Sequence, residues 1–462
     1  MLLATAYAAV VVFALGYALL GLPVQLSDSL GNMAKAQDLS LGDLVYGEFF
    51  QASFLRPFLW AHLKVLLILS GGDYFTWFRG WHVLQVALLI WLYLCVVRPV
   101  TPAGAAAVPL GLAALVGGHT FVGTVYEAFP INTFMTILLC VYAGAALALG
   151  PPGRWRDVAA AALLVFAALT VETGLLVGVV VIAARMAGAT GVSRAGTWVQ
   201  VALIGGYFAL RFLVLDVGAP GLTERSSGFG FSVLDPDELL ARFGGNPVLF
   251  YAYNVLSGLS SIFFAEPRGG VWALTGAVRA GEVRLADLVG VLASAGGTSL
   301  IAGYVWARRA AWRAWSLDAD DRIVAVFLAV AAANAAIGFA YSKDVILSPA
   351  GAFFALALTV AVRRLSQQTH AARLRSAAVG ILLLALSSAW AVRGLHLHAV
   401  LRAEAETARN DWAYADQWIE EQRMTFSPAG AELKRRLEAD AVMRLPARDP
   451  VSSDLMEVLG ID

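Results

Sequence analysis

The chain has 462 residues, of which 59% are hydrophobic and only 14% charged, against about 25% charged in a usual soluble domain. Its 33 basic and 33 acidic side chains cancel, so no basic face points to nucleic acid, and apolar blocks longer than a soluble core needs exclude an ordinary soluble fold. A helix needs roughly 20 apolar residues to cross the hydrocarbon layer, and only helices or closed barrels satisfy their backbone in lipid. Blocks this long and uniform are helices, so the sequence predicts an all-α, polytopic transmembrane helix bundle of about 11–13 spans.

In chain order, the block from Leu3 to Leu20 has no basic leader and no clear cleavage site, so it reads as a retained first span, 3–22. Residues 23–75 form a large outer loop. It opens with Gln25-Leu26-Ser27-Asp28-Ser29 and continues through Lys35, Asp38, Asp43 and Glu48. After Arg56-Pro57 comes an apolar run broken by His62 and Lys64. That mixture predicts amphipathic helices lying in the interface. Further spans are expected at 76–97, 102–118, 131–150, 157–170, 174–187 and 197–216. The segment 218–285 is a second large outer or re-entrant piece. Its middle, Val248 to Phe264, is apolar enough to insert, with a second crossing near Val271 to Val278 as the alternative. Spans at 286–307, 322–341, 346–363 and 376–395 complete a membrane domain of residues 1–395. The tail, 396–462, reads as a solvated, extracytoplasmic helical appendage too short for its own core. Its Leu401, Trp412, Tyr414, Trp418 and Ile419 are candidates to face a partner surface. Cys95 and Cys140 fall inside apolar blocks and read as small hydrophobes, with no metal-ligand spacing around them.

Basic residues orient these spans. Arg98, Arg154, Arg156, Arg185, Arg194, Arg308, Arg309, Arg313, Arg363, Arg364, Arg373 and Arg375 lie at every second boundary. Cytoplasmic loops collect Lys and Arg, which predicts an inner N-terminus and an outer C-terminus. A charge at the centre of a membrane helix costs roughly 2.5–3.5 kcal/mol on insertion scales, so polar residues near the membrane are the informative ones. On the outer side they are Asp28, Glu48, Arg56, His119, Glu127, Glu172, Arg211, Lys343 and Asp344. Mixed signs at one face describe a polar cavity, with cations for an anionic headgroup and a carboxylate for chemistry. Each also has a plainer reading. Glu127 and Glu172 serve as partners of arginines or helix N-termini, His119 bonds locally, Arg211 snorkels, and Lys343 with Asp344 is a solvated pair. No Walker loop, HExxH or GxSxG is present, and no inverted repeat marks a secondary transporter.

The order and sidedness of several short motifs resemble the GT-C superfamily of membrane glycosyltransferases, in particular the bacterial branch related to protein O-mannosyltransferases. The motifs are Leu26-Ser27-Asp28-Ser29-Leu30 after the first span, Phe54-Leu55-Arg56-Pro57-Phe58, and Phe78-Arg79-Gly80-Trp81-His82. They continue with His119 to Glu127, Val171-Glu172-Thr173, a late Arg211, and Tyr341-Ser342-Lys343 before Ser348-Pro349-Ala350. The likeness covers most of residues 1–395. Three positions depart from the family pattern. A single Asp28 followed by Ser29 replaces an acidic pair, Val171 replaces a lysine, and Lys343 replaces an arginine and so offers a point charge rather than a fork.

The resemblance implies an inverting transferase of the bacterial inner membrane. It would move a sugar from a polyprenyl-phosphate carrier to a protein, glycan or lipid acceptor at the outer face. Asp28 would be the catalytic base. Lys343 and Arg211, with Arg56 behind them, would hold the leaving phosphate, and His119, Glu127 and Glu172 would position the acceptor or a metal. Some members use a divalent cation, a point the resemblance leaves open here. Two readings compete: a catalytically degenerate scaffold or accessory subunit, and a lipid or small-solute transporter. The transporter would need polar groups in both halves of the bilayer.

Overall fold

Apolar segments of this length leave the backbone no partner but itself, and the computed structural model is helical accordingly. It describes residues 2–20, 28–50, 55–71, 73, 75–118, 121, 133–216, 226–228, 234–244, 246–264, 271–283, 285–369, 380–395, 416–417, 421 and 426–444. Among these there is no strand, only isolated bridges joining Ser226 to Leu234 and Ser227 to Tyr341.

The helices are α1 (Leu2–Leu20), α2 (Asp28–Asp38), α3 (Leu41–Phe50), α4 (Pro57–Ser70) and α5 (Gly80–Val97), the last preceded by a π-helical turn at Phe75–Arg79. Then come α6 (Pro102–Gly117), α7 (Thr133–Ala148) and α8 (Arg154–Ala168). A 3-10 turn at Glu172–Leu175 leads into α9 (Leu176–Met186), and α10 (Arg194–Ala209) runs on into a π-helical turn at Leu210–Val214. The second half holds α11 (Pro236–Arg242), α12 (Val248–Phe263), α13 (Val271–Ala280), α14 (Leu285–Ala307), α15 (Arg309–Arg313) and α16 (Ala319–Ile337). A 3-10 turn at Asp344–Leu347 opens α17 (Ser348–Thr369), followed by α18 (Gly380–Leu395) and α19 (Pro428–Arg444).

Four of the described helices are long and apolar enough to cross a membrane: Thr76–Val97, Arg194–Val214, Leu288–Ala307 and Asp344–Gln367. The expected spans at 3–22, 102–118, 131–150 and 376–395 take the form of shorter apolar helices. At 1.5 Å per residue, sixteen residues cover about 24 Å, less than the roughly 30 Å of hydrocarbon. Pro102 marks where the second of those blocks becomes helical.

The central helix is Asp344–Gln367, 89% of whose apolar window is buried, whereas Arg194–Val214 buries only 17%. The helix α17 packs against α6, α16, α14, α7 and α5. Its closest crossing is at Gly111, where an added Cβ would stand 1.9 Å from Thr359 Oγ1 and 2.1 Å from the Tyr93 hydroxyl. Those two hydroxyls bond each other at 2.5 Å, so a glycine here lets α5, α6 and α17 share one hydrogen bond. Small residues at crossings and hydroxyl bonds between helices are how apolar helices associate in lipid. The periphery instead exposes large apolar side chains, such as Leu213 at 82% and Trp306 at 69%, a surface that water disfavours.

Two ends of the bundle are distinct. At one, Arg363 Nη1 donates to Val97 O at 2.7 Å, Arg98 Nη2 to Leu149 O at 3.4 Å, and Trp315 Nε1 to Met186 O at 2.7 Å. The amide of Gly191 bonds Ala148 O at 3.1 Å. This is the basic end. It gathers the loops in which the sequence placed its described arginines.

At the far end, the Phe58 amide bonds Leu169 O at 3.1 Å, and Ser227 pairs with Ala340 and Ser342. Asn254 of α12 bonds Ser227 O and Phe339 O there, at 3.0 and 2.9 Å. The other tip of α12 reaches the middle of the bundle, where Phe263 packs on Phe327 and its carbonyl accepts from Thr298. Since α14 ends at the basic end, with Arg308 on Asp321, it starts at the far one. The chain thus enters and leaves 248–285 at the same end.

A second apolar core lies beside the first. It joins Leu30, Met33, Leu44, Trp60, Leu63, Leu67 and Phe78 to Leu433 and Leu437 of α19. The described part of the tail is therefore packed on α2. Trp412, Tyr414, Trp418, Ile419 and Leu401 lie outside the described residues.

Candidate functional site

Three of the seven candidate residues meet at the far end. Arg56 is the N-cap of α4, with Pro57 in the first helical position, where a missing N–H costs nothing. The bond from the Phe58 amide to Leu169 O lays this first turn against the end of α8. Glu172 opens the 3-10 turn three residues later. That turn can lie so close only because residue 174 is glycine, since a Cβ there would stand 2.1 Å from the carbonyl of Ala167. Arg211 sits in the π-helical turn that ends α10, where the Leu215 amide reaches back to Leu210 O. Such turns are rare and re-aim side chains, often at functional positions.

Arg56 Nη2 bonds Glu172 Oε2 at 2.8 Å, and Arg211 Nη1 bonds Glu172 Oε1 at 2.8 Å. Arg211 also donates to the Tyr207 hydroxyl at 2.9 Å. The Arg211 side chain is 3% exposed, Glu172 21% and Arg56 29%, so the group lies just beneath the surface. Burial alone would raise the Glu172 carboxyl, but Arg56 and Arg211 together hold it at about 2, well below the ordinary 4.5. Among the described residues, two cations around one anion leave a net charge of +1 in a partly desolvated place, where charges act more strongly than in water.

Lys343 does not join this group. It is exposed, with its ammonium 5.2 Å from the centroid of the Tyr341 ring. It precedes the 3-10 turn that, like the Glu172 turn, packs on α16. Asp28 is the first residue of α2, its side chain lying outside the described residues, as do His119 and Glu127 altogether. Among the described residues no group of three or more His, Cys, Asp or Glu is arranged to hold a metal. Both oxygens of Glu172 are taken by arginines, so that carboxylate does not fit a cation ligand.

Sequence reasoning missed one participant, Tyr207, and the partners of two buried arginines elsewhere, Arg393 and Arg79. Tyr207 lies one helical turn before Arg211, a spacing that places both on one face. Arg393 is buried and donates to Gly117 O at 2.6 Å, Gly290 O at 3.0 Å and Ser294 Oγ at 2.7 Å, tying α6, α14 and α18 together. At the end of an apolar block it reads only as an edge charge. Arg79 is buried beneath the second core, 3.1 Å from His82 Nδ1, with Asp440 of α19 acting on its charge. Nothing in the sequence links residue 79 to residue 440.

Comparison with models of protein families, with curated proteins and with solved structures finds no match to this chain.

Proposed function

We propose that the chain is a polytopic inner-membrane glycosyltransferase that takes its sugar from a polyprenyl-phosphate carrier, with the basic end toward the cytoplasm and the far end outside. The observation that carries this reading is the convergence of Arg56, Glu172 and Arg211 at the end opposite the arginine-rich one. Arginines otherwise follow the cytoplasmic side. Two of them gathered at the far end, with a net positive charge, match the need of a lipid-linked phosphate leaving group.

In the proposed step, the acceptor hydroxyl attacks the anomeric carbon from the face opposite the phosphate. The bond from that carbon to the phosphate oxygen breaks, its electrons stay on the lipid phosphate, and the hydroxyl proton passes to the carboxylate of Asp28. This is the geometry of inversion. The phosphate needs charge stabilisation rather than a strong acid. Arg211 and Arg56 supply it, held in orientation by Glu172, and Lys343 would have to reach them from its own turn to add a third charge. Glu172 is a positioning residue here. The acceptor is a hydroxyl of a protein, glycan or lipid.

The test is Asp28→Asn in membranes given labelled carrier sugar. The expected result is a loss of transfer of about 10²–10⁴-fold, with the protein still inserted at wild-type amount. Undiminished transfer by the variant removes the base assignment. A second reading, a scaffold without catalysis, is favoured by one observation: each Glu172 oxygen already has an arginine partner, as in a purely structural tie. Under that reading the wild-type protein transfers no sugar either.

A further inference from the structure

We infer that a cleft at the basic end binds a phosphate group, and that its ligand is the headgroup of an anionic phospholipid. The cleft measures about 240 Å³ and is lined by Arg98, Thr101, Asp320, Arg322, Arg363 and Gln367. Three guanidinium groups therefore face one carboxylate, and the three are held differently. Arg363 is nearly buried and gives itself to Asp320 and to the carbonyl of Val97. That pairing consumes Asp320, leaving no uncommitted carboxylate among the described residues of the lining.

The other two arginines are not so engaged. Arg98 is exposed and makes one long bond of 3.4 Å to Leu149 O. Its backbone has φ 49°, a left-handed conformation uncommon outside glycine, held at the rim of the cleft where α5 ends. Arg322 is half-buried beside Gly188, and its Nε is shielded from water without a hydrogen-bond partner. A buried donor left unmet is costly, and a phosphate oxygen is the acceptor that suits it. Guanidinium groups bind phosphate through paired, charge-assisted bonds. The Thr101 hydroxyl already accepts from the Gly104 amide, so its proton remains to be donated.

The walls point to a lipid. Beside these polar groups the lining includes Val96, Ile323 and Val100, the last 76% exposed. Polar groups beside apolar ones at the edge of an apolar bundle fit a headgroup with the start of its acyl chains. Basic pockets between helices at the cytoplasmic side take anionic lipid heads. The inference uses the orientation proposed above and none of its sugar chemistry. Its test works in detergent, where neither orientation nor transfer is measured.

The full-length protein, purified in a neutral detergent, is titrated calorimetrically with short-chain phosphatidylglycerol, short-chain phosphatidylcholine and inorganic phosphate. Saturable binding of phosphatidylglycerol is expected, with phosphatidylcholine and inorganic phosphate each weaker by about tenfold or more, the worth of one charge-assisted bond. Arg98→Gln with Arg322→Gln should lose at least that factor. Arg98→Lys with Arg322→Lys should keep most of the affinity, and Arg364→Gln, at the same end but outside the lining, all of it. Unfolding midpoints confirm that each variant is folded; where the double Gln variant is not, Arg322→Gln alone carries the comparison. Phosphatidylcholine binding as tightly as phosphatidylglycerol, or unchanged affinity in the Gln variants, overturns the site. Inorganic phosphate binding as tightly as the lipid overturns the headgroup assignment.

Discussion

The two ends of the bundle use arginine in different proportions, backbone carbonyls prevailing at one and a shared carboxylate at the other. At the basic end the guanidinium groups turn mainly to backbone carbonyls where helices stop: Arg156 to Ala146 and Leu147, Arg185 to Ala189, Arg309 to Trp306. A cation at a helix C-terminus meets unpaired carbonyls and the negative end of the helix dipole, a modest and local gain. At the far end Arg56 and Arg211 share one carboxylate, across 116 and 39 residues of sequence. The same side chain thus acts mainly as a cap at one end, Arg308 on Asp321 and Arg363 on Asp320 excepted, and as half of a shared two-arginine tie at the other. The difference lies in what each end can lose.

The sharpest way to break the comparison is Glu172→Gln. It leaves two guanidinium groups without their counter-charge, a change that costs about 3 kcal/mol, the lower end for a buried pair, because Glu172 keeps 21% exposure. Chemical unfolding in detergent measures it, and a cost below that of the arginine variant described last in this series would erase the contrast.

The same carboxyl gives a pH signature. Its folded value of about 2 lies below the free value of 4.5, so its contribution is complete above about pH 5 and drains away as pH falls toward 2. Wild-type stability should decline through that window more steeply than that of Glu172→Gln, and parallel curves would detach the arginines from the carboxylate. Next in size is Gly174→Ala, which drives a methyl into the Ala167 backbone and should cost about 2 kcal/mol by overpacking. Restoration of the wild-type midpoint by a second change in α8 would locate the strain. The smallest effect is expected at the basic end, where Arg156→Ala should cost about 1 kcal/mol, with little dependence on pH between 3 and 8.

Much of this contrast is legible in the residues. Apolar blocks mark the helices because lipid or core must cover them, and the arginines mark one end because their spacing follows alternate boundaries. Arg56, Glu172 and Arg211 stand out because each is a charge beside an apolar run. What escapes is pairing at a distance. No local pattern tells Arg56 and Arg211 to meet on Glu172, or leaves Lys343 beside Tyr341 instead. Arg393 escapes because an arginine that closes an apolar block looks identical whether it snorkels to water or, as here, turns inward to three partners. The helix at 428–444 escapes for a similar reason, since its Leu433 and Leu437 form a stripe too narrow to announce what covers it.

That last helix imposes an order on assembly. The core beneath α2 is closed by Leu433 and Leu437, and Ser427 bonds Asp38 across 389 residues. When a ribosome has delivered the loop that carries α2 to α4, the side chains that complete its core have yet to be made. The loop must wait, half-covered, until the whole bundle has been threaded and the final turn of chain folds back. A ribosome stopped just before Pro428 would leave every apolar block in place and the first loop still unsealed.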